Sequence, residues 1–354
     1  MLIPAPAASS TAPQLRVVAE TSGVLFVDKP PGLGFHTEAD ALGVLPLLRA
    51  MQEAGDLTHQ GRLFAVHRLD RVTSGLLMVA KTPDAATELA RLLRERRAHK
   101  YYVALSGRQP RKKQGCVQGD MRRSRRGQWM LTRETHAPAV TRFLSRPLPE
   151  EDGADGSGAR RDLRGFLLLP RTGKTHQLRV ALKSLGSPVL GDALYADAAA
   201  AAQEVRDAAA SPPHPPARGR EPSRGVDAST PRPSATDVQS PAVLSPQERA
   251  YLHAAALRLP ATRALVSSDD LDAISEGEMA SSAATDGNAD CGASHGGGAF
   301  AVACRPRAGA AFASPGFGAL WCAWFPGDRP PAAGDEWFGG TAVATRPVPA
   351  VEIE

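Results

Sequence analysis

Apolar residues fall along this chain in short runs separated by turn chemistry, and the runs come in two periods. GVLFVD (residues 23–28) reads as a compact strand, ended by the KPPG turn at Lys29–Gly32, where proline cannot continue a ladder. DALGVLPLLRAMQEA (40–54) carries Leu45, Leu48 and Met51 at helical spacing, with Pro46 suited to a first turn. LFAVHRL (63–69) and GLLMVAK (75–81) predict two strands joined by DRVTS. Pro83–Asp84 opens a predicted helix, DAATELARLLRERRAHK, with Ala85, Leu89, Leu92 and Leu93 inward and a row of arginines outward. Further strands are expected at YYVALSG (101–107), VTRFLS (140–145) and GFLLLP (165–170), with THQLRVALKSLG (175–186) turning from strand to helix. The basic, Gly-punctuated stretch 111–131 suggests paired strands with a loop. Short strands alternating with helices describe an α/β or α+β domain around a mixed sheet.

After Tyr195 the pattern lapses. Residues 196–248 are rich in Ala, Pro and Ser and cannot bury enough surface to offset chain entropy, so they are expected to form a disordered insert. YLHAAALRLP (251–260) restores a core strand and GAFAVACRP (298–306) one able to pair with it; the polar stretch 267–297 between them is expected to be a second disordered insert. The resulting division is a disordered tail (1–20), a main domain (21–195), the first insert, the end of the domain (249–316) and a C-terminal tail (317–354).

Composition narrows the classes. Among 354 residues there are 33 Gly and 30 Pro, and the formal charge of +5 comes mostly from arginine, which suits a polyanion partner without requiring one. Cys116, Cys291, Cys304 and Cys322 lie far apart with no CxxC, against a structural zinc or a dense disulfide framework and in favour of a reducing compartment. No apolar run of transmembrane length exists, and the N-terminal residues lack a secretory plan, with only a faint likeness to an organelle transit peptide.

The chemistry concentrates in AVHRLDRVTSGLLMVAK (65–81). Asp70 stands between Arg68 and Arg71 in an otherwise apolar segment, and charged side chains are rarely buried unpaired. A surface turn aspartate would be the bland explanation. A close guanidinium instead keeps a carboxylate ionised, and an ionised, partly desolvated carboxylate serves as nucleophile or charge stabiliser rather than proton donor. Thr73, Ser74 and Gly75 are suited to orienting the turn. Phosphoryl-transfer alternatives fit poorly. Val72 stands where a haloacid-dehalogenase-like second aspartate would be, and Leu168 replaces the first glycine of a Walker loop ahead of Gly173-Lys174-Thr175.

HRLDRVTSGLLMVAK resembles the signature of RNA pseudouridine synthases of the RsuA/RluA branch, HRLD-x-x-TSG-L. Three more segments resemble that family's motifs in order: FVDKPPGL (26–33), KYYVALSG (100–107) and RTGKTHQLRVALKSLGSPVLGDALY (171–195), with YLHAAALRL like its late strand. QGCVQGDMRRSRRGQW is similar to a narrower set within the branch, and Ala181 departs from relatives that carry His there.

The resemblance implies an α+β pseudouridine synthase fold, a mixed, largely antiparallel sheet with flanking helices and a central active-site cleft. It implies isomerisation of uridine to pseudouridine in ribosomal or transfer RNA, with no metal and no cofactor. Asp70 would be the catalytic carboxylate, attacking the nucleoside or removing a ribose proton; Arg179 would be its ion-pair partner and Tyr102 the residue that stacks on uracil. Arg68 would fill the gap left by the flipped nucleotide, since chemistry on a stacked base requires extrusion. Arg71, Lys174, His176 and Gln177 would line the RNA path, though His67 and His176 better suit a structural role, holding the motif turns through ring hydrogen bonds. The basic run with Lys112, Lys113, Arg122, Arg123, Arg125 and Arg126, beside Trp129, is the expected phosphate footprint, with the 91–100 helix face a weaker one. A monomer in the cytoplasm, or in an organelle if the source is eukaryotic, completes the expectation. The competing class is a catalytically silent RNA-binding or chaperone protein on the same fold.

Overall fold

Strand β4 (Ser74–Ala80) is buried at every residue, and its period of two divides it between two cores. Leu77 and Val79 pack with Leu25 and Val27 on one face of a sheet; Leu76, Met78 and Ala80 pack with Phe26 on the other. The same alternation sends Tyr102 and Ala104 of β5 (His99–Ser106) to the first face and Tyr101, Val103 and Leu105 to the opposite one. These strands read as continuous apolar runs because both faces are covered. The computed structural model describes residues 15–37, 42–149, 163–196, 249–276, 291–296 and 298–328.

The main sheet runs in the order β1 (Arg16–Glu20), β2 (Val24–Lys29), β4, β11 (Leu252–Pro260), β5, β10 (Arg164–Pro170), β9 (Ala139–Pro147) and β6 (Gln114–Gly119). Among the described residues its one parallel pairing joins β4 to β11, through Ser74 with His253 and Gly75 with Ala254. Two-residue β3 (Phe64–Ala65) pairs with β4, and β12 (Cys291–Gly296) with β13 (Ala299–Cys304), which extends from β11. A separate two-stranded ribbon pairs β7 (Met121–Arg123) with β8 (Trp129–Leu131).

Helices α1 (Val44–Glu53) and α3 (Gln177–Ser184) cover the first face, contributing Val44, Leu48, Ala181 and Leu182. Helix α2 (Pro83–Arg94) lies on the other, capped by the Thr82 hydroxyl, which accepts from the Ala85 amide, with Pro83 in its first turn. It stops earlier than its apolar spacing predicts. Arg96 adopts φ 60°, the Arg97 amide turns back to the Leu92 carbonyl, and His99 and Lys100 already belong to β5.

Several sequence expectations give way. Residues 16–20 are an edge strand rather than a tail, since Arg16 pairs with Asp28 and Val18 is buried. Within the stretch expected to be a second disordered insert, α4 (Ser268–Glu276) buries Ile274, and β12 hydrogen-bonds along the whole of β13. The strand expected at 63–69 shrinks to two residues, and 175–186 contains only helix. Beyond residue 316, the expected tail begins inside a helix, α6 (Pro315–Trp324), which follows the short α5 (Ala310–Ala313). It seals the second face with fully buried Trp321 and Trp324. Cys291 and Cys304, distant in sequence, stand opposite each other with Cα atoms 4.1 Å apart. Residues 1–14 and 329–354 of the expected tails, and 197–248 of the first insert, lie outside the described residues.

Candidate active site

The HRLD-x-x-TSG segment folds as a turn followed by a strand. The Thr73 amide donates to the Asp70 carbonyl at 3.1 Å, closing the turn that lifts Asp70 to the rim of a cleft. Gly75 then needs φ 105°, and a Cβ there would sit 2.4 Å from the Ala254 carbonyl oxygen. Only glycine permits this approach of β4 to β11. Next to it the Ser74 hydroxyl and His253 Nδ1 are 2.9 Å apart, while His253 Nε2 meets the Cys304 carbonyl oxygen. The TSG and LHA segments therefore occur together because each fills the other's closest contact.

The turn is braced from beneath by Lys29. Its ammonium is fully buried and donates to the carbonyls of Pro30 and Leu33 at 2.9 Å and of Arg71 at 3.2 Å, tying the KPPG turn to the Asp70 loop. Burial pushes its pKa down to about 7, against the raising influence of Asp70 and Asp28. His67 is half-buried on the wall of a neighbouring cavity; its Nε2 accepts from the Met78 amide, and desolvation, helped by Lys100, drives its pKa down to about 3. The ring is neutral and holds the start of the motif to β4.

Arg179 reaches the cleft from the first turn of α3. Its Nη1 lies 3.3 Å from Asp70 Oδ2, as the resemblance implied. Its stronger engagement is elsewhere: Nε and Nη2 donate to the two oxygens of Asp192 at 2.7 and 2.8 Å. Such a bidentate pair fixes the plane of the guanidinium. The side chains of Arg179 and Asp192 are 6% and 1% exposed, that of Asp70 21%, so the pair is sealed while Asp70 keeps some access to the cleft. The Tyr195 ring lies against Arg179 at 4.9 Å, and its hydroxyl contacts His176 Nδ1 at 2.8 Å and accepts from the Trp129 amide at 2.8 Å. Asp192 and Tyr195 stand in the GDALY end of the 171–195 segment, and sequence reasoning assigns them no role because the partner they meet, Arg179, is brought to them only by the fold.

Tyr102 faces the same cleft, on the sheet face opposite Tyr101. Burial, then the negative charge of Asp70, raises its phenol pKa, so it stays protonated. Arg68, Lys174 and His176 also line the cleft, whose volume is about 120 Å³. Gln177 does too, but spends its amide internally: Oε1 accepts from Thr172 Oγ1 and the Lys174 amide, and Nε2 donates to Val140 O and Thr141 Oγ1. It holds the 171–176 loop together, in contrast to the expected RNA contact. Arg71 likewise donates through Nε to the Gly32 carbonyl at 3.0 Å.

The basic run separates into parts. Lys112 and Lys113 are exposed just before β6, and Arg123, Arg125 and Arg126 are exposed at the tip of the β7–β8 ribbon. Arg122 is ion-paired with Glu134. The ribbon is fastened to the site, because Gln128 Nε2 donates to the Leu194 carbonyl and the Trp129 amide to the Tyr195 hydroxyl. The ribbon is thereby joined to the loop that carries Asp192, the partner of Arg179.

Residues 23–184 match the family model for RNA pseudouridylate synthase. An RNA pseudouridine synthase of Haemophilus influenzae is 41% identical over 182 residues, covering 51% of this chain and 74% of the relative. The dual-specificity RNA pseudouridine synthase RluA of Escherichia coli K12 is 33% identical over 202 residues, covering 55% and 83%. Ribosomal large subunit pseudouridine synthase D of Nitrosomonas europaea is 32% identical over 189 residues, covering 51% and 49%. No helix among the described residues is long and apolar enough to cross a membrane. With its mixed sheet, its Asp70–Arg179 pair and these relatives, the chain belongs to the RNA pseudouridine synthase family, whose members isomerise uridine in RNA to pseudouridine.

Proposed function

We propose that Asp70 is the essential carboxylate of this isomerase and that its substrate is a uridine in ribosomal or transfer RNA. The observation that carries the reading is the placement of Asp70 Oδ2 at 3.3 Å from Arg179 on the wall of a cleft shared with Tyr102. The reaction breaks the N1–C1′ bond, rotates the uracil, joins C5 to C1′ and moves the C5 proton away while N1 gains one. Asp70 acts on the sugar, by attack at the anomeric carbon or by taking a ribose proton. Arg179 balances its charge, and Tyr102 packs against uracil and serves the proton at C5. Arg68, which borders the cleft, occupies the space vacated when the nucleotide turns out of its stack. The ribbon cations at Arg123, Arg125 and Arg126, with Lys112, Lys113 and Lys174, hold phosphates and position the strand without reading sequence. The enzyme works as a monomer.

Tritium release from RNA labelled at uracil C5 tests this directly. Release by the unsubstituted chain from ribosomal or transfer RNA, lost in Asp70→Asn with RNA binding intact, is the expected result. Binding without release from either RNA would identify a silent RNA-binding protein instead.

A further inference from the structure

A second cavity, of about 290 Å³, adjoins the active-site cleft. The two share Arg68, Lys100, Pro170, Thr172 and Gly173 as walls. Its lining includes Arg68, Arg96, His99, Lys100 and Arg171, and no carboxylate. Two of these cations are uncommitted. Among the described residues neither the Lys100 nor the Arg96 side chain has a hydrogen-bond or ion-pair partner, whereas Arg91, in the helix just before them, is held between Glu88 and Glu95.

The backbone is bent to present them. Arg96 holds φ 60°, a left-handed conformation that a non-glycine residue adopts at a cost, and this turn delivers both Arg96 and the start of β5 to the cavity. Lys100 is desolvated there without a counter-charge, which lowers its pKa. An ammonium left in that state favours the arrival of an anion, which would supply the missing charge.

We propose that this second cavity is a phosphodiester subsite, taking a backbone phosphate of the RNA beside the target uridine, with Lys100 and Arg96 as its cationic contacts. The proposal rests on the functional reading above. It makes Lys100 a positioning residue on the wall between the two cavities, acting on the substrate backbone and not on the uracil.

Affinity is measured in an Asp70→Asn background, so that binding is read without turnover, using ribosomal and transfer RNA from cells lacking this gene. Lys100→Met should weaken binding about tenfold at low salt and reduce the slope of log affinity against log salt by about one. Arg96→Gly, which also relieves the left-handed strain, should reduce the slope similarly. Lys100→Arg should restore most of the affinity, and Arg49→Gln, on an exposed face of α1, should change nothing. In the Asp70 chain, Lys100→Met should raise KM for tritium release and leave kcat near its starting value. Unchanged affinity and slope in both variants would overturn the subsite, as would a fall in kcat with KM unchanged. Absence of release from the unsubstituted chain would overturn the functional reading alone, because the binding comparison does not depend on it.

Discussion

Arg179 gives two of its nitrogens to Asp192, at 2.7 and 2.8 Å, and only one, at 3.3 Å, to Asp70. The arginine is thus held by a buried acid from the loop that follows its helix and offers its remaining edge to the partly buried one. Removing the Asp192 charge leaves the guanidinium buried with a single, longer partner. Asp192→Asn should lower the unfolding free energy by about 3–5 kcal/mol, the usual cost of breaking a buried pair. It should also reduce tritium release although Asp70 is untouched. Chemical denaturation together with the release assay checks both, and a double-mutant cycle with Arg179→Lys should reveal strong coupling.

Lys29 should make stability rise with pH above neutrality. Its pKa is about 7 in the folded chain and 10.5 in its unperturbed form, so between those values the unfolded chain binds the extra proton. The penalty for burying the charge is complete below pH 7 and is relieved as pH climbs toward 10.5. Relative to Lys29→Met, the unsubstituted chain should gain up to ~3 kcal/mol between pH 7 and 9.5 in urea unfolding. A difference independent of pH would contradict the burial of this ammonium.

His67 acts in the opposite pH range. With a folded pKa near 3 against 6.5 unperturbed, its contribution is present above 6.5 and is lost as pH falls toward 3, because the unfolded chain takes up the proton first. His67→Gln should therefore flatten the acid limb of stability, by about 1.4 kcal/mol per pH unit below 6.5. Thermal unfolding of both chains from pH 7 to pH 4 measures it.

Gly75→Ala should be among the most damaging small substitutions. The added carbon meets Ala254 backbone atoms at 2.4 and 2.6 Å, at a φ of 105° that an alanine resists. Both strands must shift, separating Ser74 from His253 and loosening the Asp70 turn. A loss of several degrees in melting temperature, with release falling further than at Ser74→Ala, is the expected outcome. Gly127, also at positive φ but with nothing nearby, should tolerate alanine far better.

Much of the site was legible because its geometry is local. The turn from Asp70 to Thr73, the glycine after it and the strand alternation separating Tyr102 from Tyr101 follow from residue type and spacing, which act over a few bonds. The pairing of the 251–260 and 298–306 strands was also visible, because both alternate for one covered face. What amino-acid order alone settled, then, was which residues form each turn and strand and which face each side chain takes.

The tertiary structure decided who meets whom. Asp192 outbids Asp70 for Arg179 only because its loop closes beneath α3, and Gln177 is consumed by Val140 and Thr141, which lie in a strand far back in the chain. The β12 strand and α4 are mostly polar and small, so hydrophobic period says little of them; ladder bonds to β13 and the buried Ile274 and Cys291 hold them instead. The tryptophans of α6 became core because the sheet face behind Tyr101 was open to receive them. Burial and ion pairing are properties of surfaces brought together by the whole chain, and no local pattern specifies them in advance.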